Sequence, residues 1–121
     1  MIKPEDVGMR GWGSYLVIGK APGHLVKRLV FKERGEMKFQ RHNGRMERWV
    51  VVSGYGTMTL AGSHAAPNGH CDYHLNAGQM LAVPIETWHK FSAGPHGCTI
   101  IETWIGSDLS EKDIERCTSH R

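Results

Sequence analysis

The chain has 121 residues, with 15 basic and 12 acidic side chains dispersed along it for a net charge of +3. That length suits one domain, residues 1–121, around a single core. The charge is too mild and scattered for a nucleic-acid footprint, no basic run is interleaved with aromatics, and an anionic small ligand is compatible with it.

No apolar run approaches the ~20 residues needed to span a bilayer. The start, Met1-Ile2-Lys3-Pro4-Glu5-Asp6, lacks a hydrophobic signal core. Cys71, Cys98 and Cys117 are odd in number and have no CxxC spacing, which reads as free thiols in a reducing cytosol. The expectation is a cytoplasmic protein with neither nucleic acid nor membrane as a partner.

Short segments rich in Val, Ile, Thr and aromatics predict strands over Tyr15–Ile18, His24–Lys32, Lys38–Arg41, Trp49–Ser53, Thr57–Leu60, Cys71–Leu75, Met80–Val83, His89–Ser92 and Thr99–Ile105. Asn43-Gly44, Asn76-Ala77-Gly78 and Gly94-Pro95 supply turns between them. Residues 61–70 are too rich in small and polar residues for a strand and read as a loop. Ser110, followed by Glu111 and Asp113, predicts one short helix over about 110–117. Strands at this spacing without helical periods predict an all-β sandwich or barrel.

Within that frame, Gln40 and His42 stand two apart on a strand and share a face. A turn at Asn43-Gly44 would fold the following run back and bring Glu47 opposite them. His89 lies in a later strand-like segment, after Gly78, Pro84 and Trp88. Two imidazoles, a carboxylate and an amide oxygen converging inside a small β-fold describe a mononuclear metal site with positions left for substrate. His64, His70, His74 and Cys71 fit no structural zinc spacing and read as exposed. Trp12, Trp49, Trp88 and Trp104 read as packing residues.

The order Gly35…Gln40-x-His42-x4-Glu47-x6-Gly54, then Gly78-x5-Pro84…His89, resembles the two motifs of the cupin superfamily. More narrowly, Arg10-Gly11-Trp12-Gly13-Ser14-Tyr15, Val26-Lys27-Arg28, Arg45-x-Glu47-x-Trp49-x-Val51-Val52-x-Gly54, Ile101-Glu102 and Asp113-Ile114-x-Arg116 resemble the cupin domain of type II phosphomannose isomerases. There are departures: four residues separate Gly35 from Gln40 where cupins usually have five, and Gly44 and Arg48 stand where that family often has histidines. Glu86 replaces the glycine of Pro-x-Gly, and Ala93 replaces an asparagine.

The resemblance implies a double-stranded β-helix, the jelly-roll barrel of cupins, over about 10–106. It implies one divalent ion held by Gln40, His42, Glu47 and His89, with Zn²⁺ favoured and Mn²⁺, Co²⁺, Ni²⁺ or Fe²⁺ left open by the mixed nitrogen–oxygen set. The activity implied is interconversion of mannose 6-phosphate and fructose 6-phosphate through an enediolate. The alternatives are a non-catalytic cupin that binds a sugar or sugar nucleotide in polysaccharide biosynthesis, and another metal-dependent cupin enzyme such as an oxygenase. A phosphorylated sugar or sugar nucleotide is the expected small partner, with homodimerisation left open.

Glu102, Lys27 and Glu86 are the candidate bases. Strand alternation puts Glu102 on one face with Ile100, and a carboxylate in an apolar strand is poor core filler. An edge-strand carboxylate paired with Lys27 or Arg28 is the competing reading. One of Lys27 and Arg28 must face inward, and Lys27 matches the family's substrate-facing residue. Arg45 matches a further family residue, read as substrate-binding; the competing reading is a solvated turn arginine.

Overall fold

The computed structural model describes residues 3–61 and 70–117. After a 3-10 turn at Pro4–Asp6, the strands are β1 (Val7–Arg10), β2 (Gly13–Ala21), β3 (His24–Phe31), β4 (Gln40–Arg41), β5 (Arg45–Ala61), β6 (Cys71–Asn76), β7 (Met80–Val83), β8 (Trp88–Gly106) and β9 (Glu115–Arg116). Among the described residues no helix is long and apolar enough to cross a membrane.

Two long strands organise everything else. β5 and β8 run antiparallel along their whole length, from Arg45 opposite Gly106 to Ala61 opposite Trp88. The first half of β5 and the second half of β8 join β1, β2, β3 and β7 in one sheet. Their other halves join β4, β6 and β9 in a second. This is the all-β fold that the strand spacing predicts and the jelly roll that the resemblance implies, curled so that one face of each sheet lines a shared interior.

The strands change sheets where their register slips between Gly54 and Gly56. Gly54 has φ 76° and Gly97 φ 79°, and a Cβ on Gly54 would collide with the Gly97 carbonyl. Only glycine takes this conformation at so close a backbone approach. Gly94-Pro95 is accordingly no hairpin turn: the two strands expected on either side of it are one strand, as are the two expected across Gly54.

The interior is filled at one end by Phe31, Trp49, Val51, Met58, Phe91 and Ile100. Phe31 packs its ring centroid 4.9 Å from Phe91 and 4.3 Å from Trp12. Tryptophans 12 and 49 therefore belong to the core, as their sequence context suggests. Phe39, Ala61, Cys117 and Trp88 form a separate small cluster. None of the three cysteines forms a disulfide; Cys98 and Cys117 are buried and Cys71 is exposed.

Two further expectations fail. Asn43-Gly44 does not close a hairpin, because β4 pairs with β8 and β9 and not with β5. Nor does a helix form over 110–117. The Ser110 hydroxyl accepts from the Lys112 amide, a local turn two residues long. The Asp113 carboxylate then takes the amides of Asn43 and Gly44, at 2.9 and 2.8 Å. Glu115–Arg116 pairs with Gln40–Arg41, and Arg41 meets Glu115 at 3.1 Å. The long-range pairing overrides the local capping signal. The loop expected over 61–70, with His64, lies mostly outside the described residues.

Glu86, which stands in place of a glycine, has φ 57° while its amide donates to the His42 carbonyl at 2.7 Å. A side chain in this left-handed region is strained. Glu86→Gly should therefore raise unfolding stability, by up to about 1 kcal/mol after the greater chain entropy of glycine is deducted. Urea denaturation measures this, and a loss of stability would contradict the strain.

Candidate metal centre

Residues directly opposite in an antiparallel pair point to the same face, so the register sets out the polar end of the interior row by row. Lys27, Glu102 and Trp49 form one row across β3, β8 and β5. Leu25, Trp104 and Glu47 form the next. In the second sheet His89 stands opposite Gln40, whose other neighbour is Arg116. His42 follows β4 directly.

The two sheets thus bring His42, Glu47 and His89 together. Their exposures are 4, 1 and 1 %, and one ligand atom from each lies within 4.8 Å of the others. His42 Nε2 is 3.2 Å from Glu47 Oε2, and His89 Nε2 is 3.4 Å from Glu47 Oε1. Among the described residues this is the one cluster of His, Cys, Asp or Glu able to share an ion. Gln40 reaches the same face through its pairing with His89, and it lines the neighbouring cavity. His74 and Cys71 are exposed on β6, with His74 Nδ1 2.9 Å from the Thr57 hydroxyl.

The donor set fits a divalent ion. His42 Nδ1 donates to the Asp113 carbonyl at 2.6 Å, and His89 Nδ1 contacts the Thr87 carbonyl at 3.1 Å. Anchoring each ring through Nδ1 turns Nε2 toward the cluster, the arrangement that orients metal-binding imidazoles. His89 Nε2 is buried and makes no hydrogen bond. An orphaned buried nitrogen is costly unless something binds there. Nitrogen and oxygen donors without thiolate suit Zn²⁺ and the other first-row divalent ions alike.

Arg45 sits directly on this cluster. Its Nε donates to Glu47 Oε2 at 2.9 Å, Nη2 lies 2.9 Å from the same oxygen, and Nη2 is 3.1 Å from His42 Nε2. Its guanidinium carbon is 3.3 Å from the Trp104 ring centroid. The solvated turn arginine is excluded. Trp49 Nε1 donates to the other Glu47 oxygen at 2.9 Å.

Electrostatics divide the two buried carboxyls. Burial pushes Glu102 well above the usual carboxylate range, and the negative charge and hydrogen bond of nearby Glu47 push it further. Burial acts on Glu47 in the same upward sense but is outweighed by His89, by the Glu102 hydrogen bond and by Arg45, so Glu47 lies well below that range. The two carboxyls are thus pushed in opposite directions, Glu102 up and Glu47 down. His42 is lowered to about 4, first by burial and then by Arg45 and His89, against the opposing pull of Glu47.

Beyond Arg45 lies a cavity of about 320 Å³ walled by Lys27, Gln40, Arg45, Glu102, Trp104 and Tyr15, among others, but not by His42, Glu47 or His89. Lys27 is buried and Arg28 exposed, so Lys27 is the inward member of the pair, and Glu102 is an interior residue, not an edge carboxylate. Lys27 Nζ is 2.6 Å from Glu111 Oε2 and 4.0 Å from the Trp104 ring centroid. Glu86 is exposed and is absent from the cavity wall. Sequence reasoning missed Trp104 as the platform under both cations; its only signal is that it stands two residues after Glu102 on the same face. The local signal of Glu111 and Asp113 points to a helix start and not to the site, since their contacts are long-range.

His42 also sets a pH dependence. Its folded pKa is depressed from 6.5 to about 4. Its contribution is fully present above pH 6.5 and is lost as pH falls through 4, an effect of at most about 3 kcal/mol. Unfolding of metal-free protein in urea between pH 7 and 4 should show this slope, and His42→Gln should remove it. An unchanged slope in the variant would refute the assignment to His42.

A family model described as "Mannose-6-phosphate isomerase C-terminal" matches residues 3–119. The chain is 33% identical over 111 residues to the alginate biosynthesis protein AlgA of Pseudomonas aeruginosa, covering 88% of this chain and 21% of that protein. It is 31% identical over 108 residues to a mannose-1-phosphate guanylyltransferase of Klebsiella pneumoniae, with coverage of 88% and 21%. The chain thus spans about a fifth of the length of these curated relatives. Among solved structures, oxalate decarboxylase from Bacillus subtilis superposes with a TM-score of 0.80 at 12% identity, covering 93% of this chain and 30% of that one. The capsular polysaccharide assembling protein CapF from Staphylococcus aureus gives 0.78 at 18%, covering 91% and 31%. At these identities the structural matches speak for the fold, which is that of the cupins, and the sequence match places the chain within it: it belongs to the mannose-6-phosphate isomerase C-terminal family.

Proposed function

We propose that the chain is a metal-dependent aldose–ketose isomerase acting on a phosphorylated sugar, of the type that interconverts mannose 6-phosphate and fructose 6-phosphate. The observation that carries this reading is a buried Glu102 on the wall of a cavity that also presents Lys27 and Arg45, the latter in contact with the His42–Glu47–His89 cluster.

Isomerisation moves a proton between adjacent carbons and stabilises negative charge on their oxygens. An ion held by His42, Glu47 and His89, with Gln40 as a further oxygen donor, would supply Lewis-acid polarisation of those oxygens. Glu102 is the group that carries the proton. As the acid it protonates a developing oxyanion. Its base form becomes accessible when the Glu47 charge is neutralised, because that charge is one of the forces holding Glu102 protonated. Lys27 and Arg45 supply cationic donors for the phosphate, and the Trp104 face beneath both holds them in place. Trp104 Nε1, buried without an acceptor, is one more donor at this wall.

A second reading is a binding module for a sugar phosphate or sugar nucleotide, without turnover. It is favoured by the seal over the cluster, where Glu47 and His89 have almost no exposed surface. It also accords with the short coverage of relatives whose names concern alginate biosynthesis and mannose-1-phosphate guanylyl transfer.

Glu102→Gln keeps size and hydrogen bonding but removes the ionisable group. It should slow isomerisation of mannose 6-phosphate about 10²–10⁴-fold with metal content unchanged. Lys27→Met should instead raise KM for phosphorylated sugars more than for free sugars. Solvent deuterium incorporation at C1 and C2 provides the check. Exchange undiminished in Glu102→Gln rules that residue out, and neither turnover nor exchange in metal-loaded wild type moves the assignment to the binding module.

A further inference from the structure

His42 Nε2 has one lone pair, because its Nδ1 proton is already given to the Asp113 carbonyl at 2.6 Å. That lone pair faces Arg45 Nη2 at 3.1 Å. A nitrogen with a single lone pair accepts a hydrogen bond or binds a metal, never both. The same conflict applies in weaker form at Glu47 Oε2, which receives both Nε and Nη2 of Arg45 at 2.9 Å. A metal–nitrogen bond of about 2.0–2.1 Å at His42 leaves no room for the guanidinium in its present seat.

We propose that Arg45 is an internal competitor for the metal: its guanidinium serves as the cation of the cluster in the metal-free protein, and metal binding through His42 requires it to leave. The inference rests on the metal-site reading above and deepens it. The seat is a built one. Arg45 is itself buried, is stacked at 3.3 Å on the Trp104 centroid, and is further tied to the Ser110 carbonyl at 3.3 Å. It neutralises a carboxylate that would otherwise be isolated in the interior, so the barrel does not depend on metal to fold. The exit is short, because Arg45 already forms part of the cavity wall. Released from His42, its Nη2 joins Lys27 as a donor to the cavity, and loading the ion thereby completes the anion-binding surface.

The exchange makes metal affinity a property of Arg45 as much as of the ligands. Arg45→Met removes the competitor while keeping an unbranched apolar stem against Trp104. Titration of Co²⁺ and Zn²⁺ against a chromophoric chelator should give at least tenfold tighter binding in Arg45→Met than in wild type, with the Co²⁺ ligand-field spectrum retained. Metal-free Arg45→Met should melt at a lower temperature than wild type and gain more on metal addition. That variant leaves Glu47 without its buried cation when no metal is present, so the wild type supplies an independent reading. Slowly exchanging guanidinium resonances of Arg45, assigned by their loss in Arg45→Lys, should be present in the metal-free protein and disappear when Zn²⁺ is added. Guanidinium signals that persist in the loaded protein, or equal or weaker metal binding in Arg45→Met, would overturn the competition while leaving the metal site intact. No metal binding in either wild type or variant would overturn the metal reading itself.

Discussion

An ionised carboxylate at 1 % exposure is the constraint from which the rest of this interior follows. Removing such a charge from water costs several kcal/mol unless donors surround it. Glu47 receives Trp49 Nε1 on one oxygen and Arg45 on the other, and it takes a hydrogen bond from Glu102. Each compensating group is then constrained in turn. Trp49 is fixed between the apolar core and the polar cluster, Glu102 must keep its proton, and Arg45 must lie flat on Trp104. The apolar and polar ends of the barrel are therefore one packed unit, joined at the Glu47–Trp49 pair.

Local spacing made much of this legible. The alternation along β5 puts Glu47, Trp49 and Val51 on one face, that along β8 puts Ile100, Glu102 and Trp104 on one face, and the pairing makes these the same face of the sheet. The identities of His42, Glu47 and His89 as neighbours followed from motif order, because each spacing must place its residue on the inner face. What failed was local chemistry read without its long-range counterpart. Ser110 with two acids behind it has the pattern of a helix start, yet Asp113 is engaged by amides some seventy residues away in sequence. Asn43-Gly44 has the pattern of a hairpin, yet the same two amides are held by that carboxylate. The Arg45–His42 bond had no signal at all, since it depends on the bend that Asp113 imposes.

The segment after β8 consequently has more to do with the site than its short elements suggest. Ser110 holds Arg45, Glu111 holds Lys27, and Asp113 holds both the His42 ring and the bend that carries it. The family resemblance at Asp113-Ile114-x-Arg116 acquires a physical reason here: the Asp113 carboxylate holds the Asn43–Gly44 bend next to His42, and Arg116 stands opposite Gln40 on the cavity wall.

Because β5 and β8 each serve both sheets, neither sheet can separate without breaking the ladder that holds the other. Their amides should exchange with solvent only through global unfolding, as one cooperative unit. The segment 107–117 is different in kind. Its attachments are a two-residue strand, ion pairs to Arg41 and Lys27, the Asp113 contacts and the packing of buried Cys117 with Phe39 and Ala61. Arg45, Lys27 and His42 each take a contact from this one strap, so a shift in its seat reaches three residues of the polar end at once.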